Sequence, residues 1–215
     1  MAKQECVNPD IRLKHAYALW YSPQPTNEER SEHGIYDAQD KIASCLNKTA
    51  PIDTIKKFWA NYLALPKPST IPFFHKISLM RSDMKPLWSE PALQQSGGVI
   101  TFTLDRTFAD DVLDFVLMAI IGGTLCVFEK TPAEAGNPNE SCVTPKPNVL
   151  VGCSIMRRRK RDRFQVQKDW IDCHIYLKDT TDDVRLYQAL MDDIEEHVPG
   201  FKMGEAKHYR FAASE

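Results

Sequence analysis

A chain of 215 residues, 43% of them hydrophobic, is long enough to build one domain around a sizeable core, with no second domain expected. A formal net charge of -2 excludes bulk electrostatic attraction to nucleic acid, so any RNA binding must come from a local basic patch or from stacking. Cys6, Cys45, Cys126, Cys142, Cys153 and Cys173 form no Cys-x-x-Cys pair and have no His at metal spacing. That argues against a zinc site or a disulfide framework and for reduced cytosolic thiols, with no cofactor or metal implied.

The start, Met-Ala-Lys-Gln-Glu-Cys, lacks the apolar stretch of a secretory signal, and residues 1–12 read as a loosely held polar segment. From His15, Tyr17, Leu19 and Tyr21 alternate with Ala16, Ala18 and Trp20, a strand with aromatics on both faces. Residues 22–34 have loop composition, and Tyr36 is the one aromatic between Tyr21 and Phe58. Asp53 has the chemistry of an N-cap; Ile55, Phe58, Trp59, Tyr62 and Leu63 follow at helical spacing until Pro66, so an amphipathic helix is predicted over 53–65.

Pro86 keeps Lys85 out of the helical region and lacks an amide donor, ending an extended segment. Trp88 and Glu90 therefore fall on a loop that closes at Gly97-Gly98, after which Ile100, Phe102 and Leu104 alternate with Val99, Thr101 and Thr103 as a strand. A Trp in such a loop either folds back as a satellite core residue or offers its ring to a ligand. Val112, Phe115, Val116 and Ala119 predict a helix over 109–121, stopped by Gly122-Gly123. The apolar tract 112–128 is too short, and too interrupted by Asp114 and that glycine pair, to cross a bilayer.

Residues 129–147, Pro-rich and acidic, read as a loop, and a strand resumes over 149–156. Six of the seven residues 157–163 are basic, Asp162 alone breaking the run, which fits a solvated surface, a localisation signal or the local basic patch that RNA binding would need. In the next strand Ile171, Cys173, Ile175 and Leu177 share one face, and Trp170, Asp172, His174 and Tyr176 the other. A helix over 181–198 opens on Asp182 and Asp183, suited to the positive end of its dipole, and ends at Pro199-Gly200 before a last strand near Tyr209.

Ser78-Leu79, Arg81, the run Met84-Lys85-Pro86-Leu87-Trp88, Glu90 and Gly97-Gly98 closely resemble the messenger-RNA cap-binding family, translation initiation factor 4E. The likeness runs without a gap from Ser78 to Trp88. In that family the Glu follows its Trp directly; here Ser89 intervenes, and the carboxylate is assigned to Glu90. Trp20-Tyr21-Ser22 resembles the branch called the 4E homologous protein, which uses a Tyr in the loop position taken here by Tyr36, and Arg210-Phe211 resembles the family's closing pair.

The resemblance implies an α+β fold: a curved antiparallel sheet with the helices 53–65, 109–121 and 181–198 on its convex face and a cap pocket on its concave face. It implies one cap-binding domain over 13–215, in which 129–147 is an insertion. Tyr36 and Trp88 would sandwich the base and Glu90 would read its edge. Counting from Gly152, Arg158 takes the family's phosphate-binding Arg position, and Lys160 and Arg163 compete for its Lys position. Tyr176, with His174 and Trp170 as alternatives, falls where the family sets a third aromatic against the base's methyl group. On the convex face Leu13, Ile55 and Trp59 would receive a factor 4G-like scaffold or a 4E-binding repressor, although Asp114 and Phe115 stand where the family offers Leu and an acidic residue.

The chemistry is coherent. A guanine methylated at N7 is cationic and is drawn to aromatic faces, a carboxylate accepts from its N1–H and N2 amine, and Arg holds phosphates. The function implied is binding of the 7-methylguanosine cap of mRNA in translation initiation or its regulation, by a non-enzymatic protein of the cytoplasm with a nuclear pool, monomeric apart from its partners and without a membrane. Two other classes use the same residues: a general single-stranded RNA-binding module, and a cap or nucleotide hydrolase with His174 or Glu90 as base.

Overall fold

The computed structural model describes residues 11–23, 44–87, 90–123, 128–130, 143–145, 150–161, 167–180, 183–201 and 207–210; of 128–130, 143–145, 160–161, 167–168, 183, 185–186 and 207–210 it describes the backbone alone. Strands β1 (Arg12–Pro23), β4 (His75–Arg81), β5 (Gly98–Asp105), β8 (Leu150–Arg161) and β9 (Gln167–Leu177) form the body of one antiparallel sheet. With β2 (Asn47–Lys48) and β10 (Lys207–Arg210) at its edges, its order is β10-β5-β9-β8-β4-β1-β2, and β3 (Ile52–Thr54) pairs with β1 off that path. The fold is the α+β, curved-sheet architecture that the sequence implied.

Period-two alternation decides which face each strand residue serves. Leu79 of β4, Phe102 of β5, Ile155 of β8 and Ile175 of β9 point to one face. There they meet Phe58 of α1 (Ile55–Tyr62), Val112 and Val116 of α3 (Ala109–Gly122), and Leu190 and Ile194 of α4 (Asp183–His197). These helices cover the convex side and exclude water from the main core, the dominant stabilising term. A fourth, short helix, α2 (Pro91–Gln94), lies in the loop between β4 and β5 and has no counterpart in the sequence reading.

Three details depart from the expected boundaries. The cap of α1 is Thr54, whose Oγ1 accepts from the Lys57 amide at 3.2 Å, while Asp53, one residue earlier, pairs with the Lys57 ammonium at 2.6 Å. The two residues compete for one helix start, and Thr54 has the extended backbone that a cap requires. Helix α3 ends one residue later than predicted, on a left-handed Gly123 with φ of 66°. The ends of the segment expected to be a loop, β6 (Phe128–Lys130) and β7 (Val143–Pro145), pair as a two-stranded ribbon.

Replacing Thr54 by Ala removes the side-chain acceptor and should cost about 1 kcal/mol in a denaturant titration. Asp53→Asn, which keeps that cap, should unfold close to the wild-type midpoint.

Candidate nucleic-acid interface

On the other face of the sheet, β4 presents Lys76, Ser78 and Met80, β8 presents Ser154, Met156 and Arg158, and β9 presents Trp170, Asp172, His174 and Tyr176. The segment between β4 and β5 folds back over one end of this face. It is anchored by Met84 and Leu93, both buried, in a second small core with Trp20, Met80, Val99, Val151 and Tyr176. The chain returns to the sheet through Gly97, where a Cβ would lie 2.5 Å from the Leu93 carbonyl oxygen and 2.6 Å from that of Leu177. Only glycine allows α2 to sit that close to β9.

Between these two anchors lies the loop that carries Glu90. Its carboxylate Oε2 accepts from the Lys85 amide at 2.9 Å, and the Glu90 amide donates to the Leu87 carbonyl at 3.2 Å. The Glu90 carbonyl then opens α2, accepting from Leu93 and Gln94. Asp83, Lys85, Leu87, Glu90 and Pro91 line an open cavity of about 350 Å³. An ionised carboxylate has about four acceptor positions, so the bond to Lys85 leaves Glu90 able to receive donors from a ligand.

The basic run is divided by the alternation of β8. Arg157 and Arg159 lie on the helix-covered face, with guanidinium carbons 4.1 and 4.0 Å from the Phe73 ring centre. Arg157 also donates to Asp169 at 2.7 Å and to the Ile71 carbonyl at 3.1 Å. Arg158 lies on the opposite, concave face, its Nε 2.9 Å from Asp172 Oδ2, while Thr103 donates to Asp172 Oδ1 at 3.3 Å. Lys160 pairs through its backbone with Lys168. Tyr36, Trp88 and Arg163 lie outside the described residues.

Tyr176 is fully buried, and its hydroxyl accepts from the Lys76 ammonium at 2.8 Å and lies 3.3 Å from Ser154 Oγ. Trp170 and His174, on the same face, keep part of their surface. The sequence reading missed Lys76 and Ser154, and it placed Asp172 on this face without giving it a role. Period two places Lys76 and Ser154 on this face, but only the register of β4, β8 and β9 shows that they meet Tyr176. Cys153 and Cys173 are buried on the other face, where burial pushes the Cys153 thiol up to about 12 and raises that of Cys173, so neither is poised as a nucleophile. Among the described residues no cluster of His, Cys, Asp and Glu could hold a metal, and no helix is long and apolar enough to cross a membrane.

On the convex side Trp59 is 39% exposed, with its ring edge-on to Phe58 and Tyr62 at 5.2 and 6.0 Å. The Tyr62 hydroxyl bonds to Asp114 of α3, whose carboxyl is raised above its ordinary value by burial. Ile55 is half-buried and its amide donates to the Ile11 carbonyl at 3.0 Å, and Leu13 packs partly buried against the core. Ile11, Leu63 and Met118 are further exposed apolar side chains before β1, after α1 and on α3.

Residues 12–192 match the family described as eukaryotic initiation factor 4E. The chain is 27% identical over 121 residues to eukaryotic translation initiation factor 4E of Eremothecium gossypii, covering 54% of this chain and 53% of that protein. It is 31% identical over 114 residues to factor 4E1 of Drosophila melanogaster, covering 51% and 39%. The chain thus spans about half the length of these relatives, or less. Among solved structures, it superposes on eIF4E-3 of C. elegans in complex with the 4E-binding protein Mextli and a cap analog, with a TM-score of 0.60, 21% identity and coverage of 89% and 88%. It also superposes on Ascaris suum eIF4E-3 with the m2,2,7G cap, with a TM-score of 0.59, 18% identity and coverage of 92% and 97%. At these identities the structural likeness establishes the fold.

Gly97→Ala should force α2 and β9 apart and lower stability by about 1–3 kcal/mol, the range for overpacking a tight site. A thermal melt would check this, and Gln95→Ala, on the exposed end of the same loop, should melt with the wild type.

Proposed function

The chain belongs to the eukaryotic initiation factor 4E family, and on that premise we propose that it binds the 7-methylguanosine cap of mRNA on the concave face, in translation initiation or its regulation. That family is one of translation factors rather than enzymes. The observation that carries this reading is the Glu90 loop: a carboxylate held by the Lys85 amide beside an open cavity, on a segment anchored at both ends to the sheet. A fixed carboxylate suits the N1–H and N2 edge of guanine and rejects adenine, which lacks those donors. Tyr36 and Trp88 are assigned the two faces of the base, each such stacking interaction being worth roughly 1–3 kcal/mol.

Arg158 is assigned the phosphates, with Lys160 and Arg163 following along the hairpin. Its concave position, opposite to that of Arg157 and Arg159, supports the choice. The methyl group of the base falls to Trp170 or His174 rather than Tyr176, because Tyr176 has no exposed surface. On the convex side the exposed Trp59, with Ile55 and Leu13, is assigned to a 4G-like scaffold or a 4E-binding repressor. The cytoplasm is the compartment this function requires.

Retention on 7-methyl-GTP resin tests the reading. 7-Methyl-GTP should elute the protein and GTP should not; equal elution by GTP would mark a general RNA-binding module, and turnover of the cap analog would mark a hydrolase.

Arg158→Ala should weaken 7-methyl-GTP far more than phosphate-free 7-methylguanosine. It should also flatten the salt dependence by about 0.7 in log–log slope for each phosphate that is no longer neutralised, measured by fluorescence titration at two salt concentrations. If affinity and slope stay as they were, the hairpin is a solvated surface. Trp59→Ala should leave cap affinity unchanged while releasing co-purifying partners; an unchanged set of partners would make Trp59 merely structural.

A further inference from the structure

Lys76 is 8% exposed, and its ammonium is held by two neutral oxygens, the Tyr176 hydroxyl at 2.8 Å and the Pro86 carbonyl at 3.2 Å. A buried cation on neutral acceptors is a poor choice for folding alone, since its desolvation is only partly offset. Met at this position would pack against Tyr176 without that cost. The carbonyl that Lys76 reaches lies in the chain between Met84 and Leu93, the two apolar anchors of the Glu90 loop. Proline has no amide, so its carbonyl is the one backbone group by which that point of the loop can be hydrogen-bonded. The bond from Glu90 to the Lys85 amide ties the loop to itself, whereas the bond from Lys76 ties it to the sheet. Lys76 is in turn aimed by Tyr176 of β9, whose hydroxyl lies beside Ser154 of β8.

We propose that Lys76 is a positioning residue for the ligand-reading loop: strands β4, β8 and β9 converge through its ammonium on the Pro86 carbonyl and so set where the Glu90 carboxylate stands. The inference rests on the cap-binding reading for its effect on affinity, but not for its effect on the loop. It assigns to Tyr176 the role of aiming Lys76 instead of touching the base. Because the loop reads the base and the hairpin holds the phosphates, losing Lys76 weakens recognition of the base whether or not phosphates are attached.

The test is Lys76→Met in the full chain. Without ligand, hydrogen exchange at the Lys85 and Glu90 amides, bonded within the loop, should quicken at least tenfold, as expected from removing about one hydrogen bond, while exchange in β5 and β9 stays as in the wild type. 7-Methyl-GTP and 7-methylguanosine should both bind about tenfold more weakly and by the same factor, a pattern distinct from that of Arg158→Ala. Tyr176→Phe, which removes the partner that aims Lys76 and changes the core by one oxygen, should give the same pattern at smaller size. Loop exchange at the wild-type rate in Lys76→Met, or an affinity loss confined to the phosphate-bearing ligand, would overturn the proposal. A wild-type protein that binds neither ligand would sink the cap reading, and the exchange measurement would still decide whether Lys76 anchors the loop.

Discussion

The structure depends on a sheet whose two faces must do incompatible things. Alternation along β8 and β9 gives each face every second side chain, and the convex set, Cys153, Ile155, Ile171, Cys173 and Ile175, is almost wholly excluded from water. The concave set is polar instead, although most of it is buried too. It carries Lys76, Ser78, Ser154 and Asp172, all buried, and the partly exposed Arg158; the bond of Lys76 to Tyr176 and the pairing of Arg158 with Asp172 offset part of the cost of burying those charges. Around Met80, Val99 and Val151 the covering is the Glu90 loop itself. The candidate site is therefore made by a loop that completes a core, so its position is secured by apolar burial as well as by hydrogen bonds.

The same alternation governs electrostatics. Six cations within seven residues look like one patch when written as a string. On β8 the described side chains of the run, Arg157, Arg158 and Arg159, fall on opposite faces. Arg157 and Arg159 flank Phe73 and share Asp169, and their work is to close the base of the hairpin over the 3-10 turn at Pro68–Thr70 and the residues after it. Arg158 stands alone of the three on the concave side. Counting charges would overstate the positive field there, since a long-range contribution from the far face is screened within a Debye length of roughly 8 Å.

What could be read in the sequence was what a local pattern determines. Helical spacing placed α1, α3 and α4 within a few residues, and period two assigned the faces of β5 and β9 correctly. Tyr17 and Trp20, from a strand expected to carry aromatics on both faces, are buried on opposite faces of β1. Missed features were those that depend on residues distant in the chain. Thr54 and Asp53 are equally good caps by composition, and the pairing of β3 with β1 selects between them. Helix α2 is four residues long, below what periodicity can register, and exists because Leu93 is pulled into the second core. Tyr176 was a reasonable candidate for touching a ligand by its face alone, but it is buried in the second core and its hydroxyl is engaged by the Lys76 ammonium from a strand 100 residues earlier. No local window contains both partners of that bond.

Arg158 shows why partners matter as much as position. A guanidinium beside Asp172 contributes little net charge, because a carboxylate at 2.9 Å largely cancels the field that would draw a phosphate from a distance. What the pair retains is geometry. Asp172, itself bonded to Thr103, engages Arg158 through Nε, and five donors in a planar fork leave the Nη groups to present hydrogens in a fixed plane. For a phosphate to use Arg158 it must approach in that plane, so the pair converts a mobile cation into a directional donor.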